Sequence, residues 1–99
     1  MVLSLDSRVV AARDQVSCNL SGEIVILNVE SGLYFGLDRV GARVWELIQQ
    51  PRPVAEIVEV LLQEYDVDEQ RCRHDVLALL DEMQLRQLIE LSGEPLTPR

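Results

Sequence analysis

The 99-residue sequence predicts an α+β domain in which a three-stranded antiparallel sheet precedes three helices. Three observations predict it. Residues 15–37 carry short β-branched or alternating runs separated by glycine turns. From Arg39 onward the apolar residues recur at helical spacing. Proline and aspartate breaks divide that second half into three segments.

The first strand is Gln15–Leu20, where Val16, Cys18 and Leu20 alternate with Gln15, Ser17 and Asn19. Ser21-Gly22 is a two-residue turn. Glu23–Val29, with Ile24-Val25-Ile26-Leu27, suits a central strand. Glu30-Ser31-Gly32 reads as a three-residue bulged connection with Gly32 in the left-handed conformation. Leu33–Leu37 is the third strand. Counted from these turns, Cys18 faces Val25, Val29 faces Leu33 and Leu27 faces Phe35. That register puts Val16, Cys18, Val25, Leu27, Val29, Leu33, Phe35 and Leu37 on one apolar face, expected to be the core. The opposite face is mixed, with Ile24, Ile26 and Tyr34 among polar residues.

Asp38 is an N-cap for a helix over 39–49, with Trp45 in the core and Gly41 permitting close packing. Pro51-Arg52-Pro53 ends it. The second helix covers 54–65. Asp68 caps the third, 69–88, whose main stripe is Cys72, Val76, Leu79, Leu80 and Met83. Residues 1–14 form an N-terminal segment, 15–90 the domain, and 91–99 a flexible tail.

Composition narrows the function. All nine basic residues are arginine; against 17 acids they leave a formal charge of −8. The stretch 54–90 holds ten acids and three arginines, hence −7 of the total. Such a chain is a poor general binder of phosphate backbones. No run approaches the roughly 18 apolar residues of a membrane span, and no secretory signal is readable, so the chain reads as cytosolic. Two cysteines are expected to be buried free thiols. Cys72 and His74, two apart on a helix, lie about 200° apart and cannot easily share a metal. No metal, cofactor or catalytic residue is expected, and the chain reads as a binding module rather than an enzyme.

The meander leaves Leu33–Leu37 as an edge strand. It lacks the lysine, proline or inward charge that usually blunts an edge. One reading is a cover by helix or loop; the other is an edge open to an extended peptide.

Ser31-Gly32-Leu33-Tyr34-Phe35-Gly36-Leu37 followed by Val40-Gly41-Ala42-Arg43-Val44-Trp45-Glu46-Leu47-Ile48 resembles the core pattern of PqqD-like proteins. Val54–Ile57, Leu62–Val67 and Asp75–Leu80 are similar to the family's later segments, so the resemblance runs from about residue 8 to 90. It implies a winged helix-turn-helix-like fold and no catalysis. It also implies recognition of the leader of a ribosomally made, modified peptide, added as a strand antiparallel to the third strand beside the last helix. The implied partners are modifying enzymes. For a discrete, short, acidic chain the lean is to lasso-peptide biosynthesis, with its leader protease and macrolactam synthetase; the PqqD chaperone of pyrroloquinoline quinone synthesis is the near alternative. The expected peptide-binding residues are Leu33, Tyr34, Phe35, Gly36 and Leu37 on the strand and Cys72, Asp75, Val76, Leu79 and Met83 on the helix. Asp75 and Glu82 would favour a basic leader or orient a partner enzyme. Two other classes remain open: a winged-helix DNA-binding regulator, and a module that forms a homodimer through the same edge.

Overall fold

The computed structural model describes residues 3–13 and 15–91. The expected tail therefore lies, from residue 92, outside the described residues. Nine elements follow in order: β1 Arg8–Ala11, β2 Gln15–Leu20, β3 Glu23–Asn28, β4 Tyr34–Leu37, α1 Arg39–Leu47, β5 Arg52–Pro53, α2 Val54–Glu64, α3 Glu69–Leu85 and β6 Ile89–Leu91. They form two antiparallel sheets, ordered β2-β3-β4 and β5-β1-β6. The meander and three helices match the sequence expectation; the second sheet is additional.

The first hairpin closes through Ser21 and Gly22, both at positive φ (59° and 93°), as a tight turn between twisted strands requires. Leu20 pairs with Glu23 and Cys18 with Val25, as the turn length predicted. The second hairpin differs by one residue. The Gly32 N–H donates to the Asn28 carbonyl (2.8 Å), and the Asn28 N–H donates to the Leu33 carbonyl (2.9 Å). Gly32, at φ 74°, is thus a bulge residue outside a loop of Val29, Glu30 and Ser31. Leu27 consequently faces Tyr34, and Ile26 faces Phe35.

That single step turns the expected β2 and β3 residues away from the core, while Phe35 and Leu37 keep the side expected of them. Ile24, Ile26 and Leu37 are buried and Phe35 half-buried, packed with α1. The face formed by Val16, Cys18, Leu20, Val25, Leu27 and Tyr34 points away from the helices. On it Val16 is 56% exposed, Leu20 55% and Tyr34 74%. Cys18 is exposed rather than buried. Val29 and Leu33 are also exposed instead of buried.

The helices begin where their caps predict. Asp38 Oδ1 accepts the Gly41 N–H (2.8 Å), and Asp68 Oδ2 accepts the Arg71 N–H (3.0 Å). Helix α2 has no side-chain cap. Its first N–H groups, of Val54 and Ala55, instead donate to the carbonyls of Ser7 and Leu5 (2.8 and 3.0 Å). Helix α3 ends with Gln87 at φ 62°. The Leu88 N–H donates to the Met83 carbonyl and the Gln87 N–H to that of Gln84, which is the bonding of a left-handed helix stop.

The core lies between these elements. Trp45, Val44 and Ile48 of the α1 region meet Ile57 and Leu61 of α2 and Val76, Leu80 and Met83 of α3. The N-terminal segment joins it through buried Leu3 and Val9. The Ala11 N–H donates to the Ile48 carbonyl and the Ala12 N–H to that of Leu88. One short strand thus ties the end of α1 to the end of α3.

The two sheet faces have opposite mutational signatures. Ile26→Ala is expected to cost about 3 kcal/mol, and Val16→Ser less than about 1 kcal/mol. Urea denaturation of both variants checks this; equal costs would contradict the register.

Candidate functional site

Strand β4 is an edge in the structure: β3 pairs with it on one side and no described strand on the other. The Asn28–Leu33 bond sets which of its backbone groups are free. In an antiparallel ladder, alternate residues direct N–H and C=O to the same neighbour. Leu33, Phe35 and Leu37 therefore direct theirs to β3, while Tyr34 and Gly36 direct theirs outward. The expected span Leu33–Leu37 thus reduces to two residues with free backbone groups.

Beside this edge lies a cavity of about 860 Å³. One wall is β4 and the start of α1, the other is α3, and the end of α2 closes the floor. Its apolar lining includes Leu37, Val40, Val44, Leu61, Val76 and Leu79. The α3 stripe supplies this wall because residues 72, 76 and 79 share one helical face. Gly41 lets α1 approach β4. A Cβ there would lie 3.0 Å from Leu37 Cδ2 and 3.2 Å from Leu37 Cβ.

Charge sits on the rim. Asp38 and Asp68 are engaged as helix caps. Asp75 lies 3.6 Å from Arg71, and Glu82 accepts from Arg86 at 2.9 Å. The Arg86 guanidinium also stands 5.2 Å above the Phe35 ring. Cys72 is buried in the wall; burial, and then the Asp75 carboxylate, push its thiol above the ordinary range. Behind the groove, Arg43 holds Glu64 by two bonds (2.9 and 2.8 Å) and joins α1 to the end of α2. That guanidinium lowers the Glu64 carboxyl below its usual value.

Of the ten residues expected to contact peptide, Phe35, Gly36, Leu37, Cys72, Asp75, Val76 and Leu79 line this groove. Leu33 and Tyr34 line a second, smaller cleft. Met83 is fully buried and lines neither, because its side chain follows Val76 and Leu80 into the core. Sequence reasoning missed the contributions of Val40, Val44, Leu61 and Tyr65. Val40 was legible, as an apolar residue two positions past an N-cap beside the edge strand. The α2 residues were not, since their spacing says only that they face inward.

Among the described residues, no cluster of three or more His, Cys, Asp or Glu is placed to hold a metal ion. No described helix is long and apolar enough to cross a membrane. The site is thus an apolar trough beside a free strand edge, with acids on its rim that are paired with arginines or cap helices.

The comparisons agree with that geometry. The family model described as "Coenzyme PQQ synthesis protein D (PqqD)" matches residues 23–89, and the chain belongs to this family. A solved structure titled "TbiB1 in Complex with the TbiA(beta) Leader Peptide" is similar over 86% of this chain and 99% of that one. It shares 32% sequence identity, with a TM-score of 0.77. No curated protein matches the chain.

The Gly41 contact is testable. Leu37 is held by strand pairing, so Gly41→Ala is expected to destabilise by about 1 kcal/mol despite alanine's better helix propensity. Urea denaturation measures it; a stabilised variant would show that Leu37 can yield.

Proposed function

We propose that this chain binds the leader region of a ribosomally synthesised precursor peptide as a fourth strand on β4. It does so without catalysis and delivers the precursor to modifying enzymes. The observation that carries this reading is the coincidence of a free β4 edge with an apolar groove walled by α3. The similar structure, solved with a leader peptide, supports it. Backbone bonds to Tyr34 and Gly36 would set the register, and the groove would select apolar side chains. Because binding orders a flexible chain, affinity is expected to be moderate.

Delivery needs a surface that the peptide leaves free. The outer sheet face supplies one. It is apolar, exposed, and bears one charge, Glu23, beside the hairpin turn. A leader strand would extend this face, since every second leader side chain would stand beside Tyr34. The proposed recipients are a lasso-type leader protease and macrolactam synthetase. The description of the matching family favours one second reading, service to the pyrroloquinoline quinone precursor.

Titration of the labelled leader of the neighbouring precursor gene, against a scrambled control, tests the reading by fluorescence anisotropy. Saturable binding only of the true leader is expected; absence of binding at high micromolar concentration would overturn it. Tyr34→Pro removes an outward N–H and leaves the β3–β4 ladder intact. It is expected to weaken binding at least about ten-fold, with an unchanged circular dichroism spectrum.

The two thiols give an independent check. Iodoacetamide is expected to modify exposed Cys18 quickly and buried Cys72 slowly. Saturating leader should slow Cys72 further and leave Cys18 unaffected. Mass spectrometry of the alkylated chain reads both rates; equal protection of the two would contradict groove binding.

A further inference from the structure

The trough beside β4 has two compartments. The smaller, about 540 Å³, lies between the 29–32 turn and the C-terminal end of α3. Phe35 lines both compartments, and Arg86 stacks on its ring while bonding Glu82. The stacked pair stands as a partition between the two compartments. Beyond it, Leu33 from the strand side and Leu85 from the helix side line the smaller cleft, 65% and 85% exposed. Single exposed leucines are ordinary. Two on opposite walls of one cleft, at the end of a free strand edge, form an apolar site left in water.

We infer that this cleft is a second side-chain subsite for the same peptide, taking an apolar residue four positions from the one held in the main groove. The inference rests on the leader-binding reading. A strand that bonds Tyr34 and Gly36 turns its side chains toward α3 opposite Leu37, Phe35 and Leu33. The position opposite Leu37 lies over the main groove. The position opposite Phe35 lies over the partition, which has no depth to receive a large side chain. The position opposite Leu33 lies over the smaller cleft. The outer two are separated by four residues, about 14 Å along an extended chain. The recognised pattern is therefore an apolar residue, a small one two positions away, and a second apolar residue two further on.

The test uses the full chain, the leader of the neighbouring precursor gene and anisotropy. An alanine scan of the leader locates its apolar anchors. Leu85→Gln alters an exposed side chain while keeping helix propensity, and circular dichroism verifies the fold. The variant is expected to bind the leader about ten-fold more weakly. That loss should vanish when the leader carries alanine at one anchor, and persist in full when alanine replaces the anchor four residues away. Binding by L85Q within about two-fold of the unaltered chain would overturn the subsite. A loss that adds fully to every leader alanine would also overturn it. Failure of the unaltered chain to bind the leader is a different result: it removes the leader-binding reading itself, and the subsite with it.

Discussion

The bulge at Gly32 is the constraint on which the rest of the structure depends. Its two crossed hydrogen bonds with Asn28 and Leu33 set the register of β4 against β3. The register decides which face of the sheet meets the helices. Fully burying each isoleucine on that face contributes about 1.5–3 kcal/mol, so Ile24 and Ile26 lock the choice. The same register turns the backbone of Tyr34 and Gly36 outward and the side chains of Phe35 and Leu37 toward α3. Fold stability and peptide accessibility therefore share one origin, a left-handed glycine placed one residue outside its loop.

Much of this was legible in the sequence, and the failures are specific. Asp38 and Asp68 marked both helix starts because a carboxylate can satisfy free N–H groups there. Ser21-Gly22 fixed the first hairpin because a two-residue turn leaves no freedom of register. The turn at 29–32 left one residue of freedom. Gly32 suits a left-handed site either in the loop or in a bulge, and both choices give an apolar face, since β3 is apolar at every position from Ile24 to Leu27. Alternation could not arbitrate. Packing did, because α1 contacts β3 and β4 on the Ile24/Ile26 side. The second sheet escaped notice because β5 has two residues and β6 three, too short to carry a period. The groove's strand and α3 walls were legible as an edge and a stripe. Its depth was not, because that depends on how closely α1 and α2 approach.

The outer sheet face explains a tension in the composition. A domain with a net charge of −8 would ordinarily be wrapped in charge. Here the acids collect on α2 and α3, and one whole side of the meander is nearly uncharged. An apolar, exposed sheet face on a small chain is an aggregation risk unless something covers it. The charge on the helices opposes self-association while that face stays exposed.

Strand β1 carries a consequence for how the chain is made. It caps α2 through the segment before it, bonds to the Ile48 carbonyl, and pairs with β6 near residue 90. Residues 8–11 are synthesised well before their partner strand at 89–91. The meander and α1 are built from neighbours and can form as they emerge. The clasp that draws together the ends of α1 and α3 must wait for residue 91. A nascent chain stalled earlier would hold a hairpin and helices without their closing strand. The trough, whose helix wall reaches Glu82, would have all its walls synthesised before the clasp that steadies them.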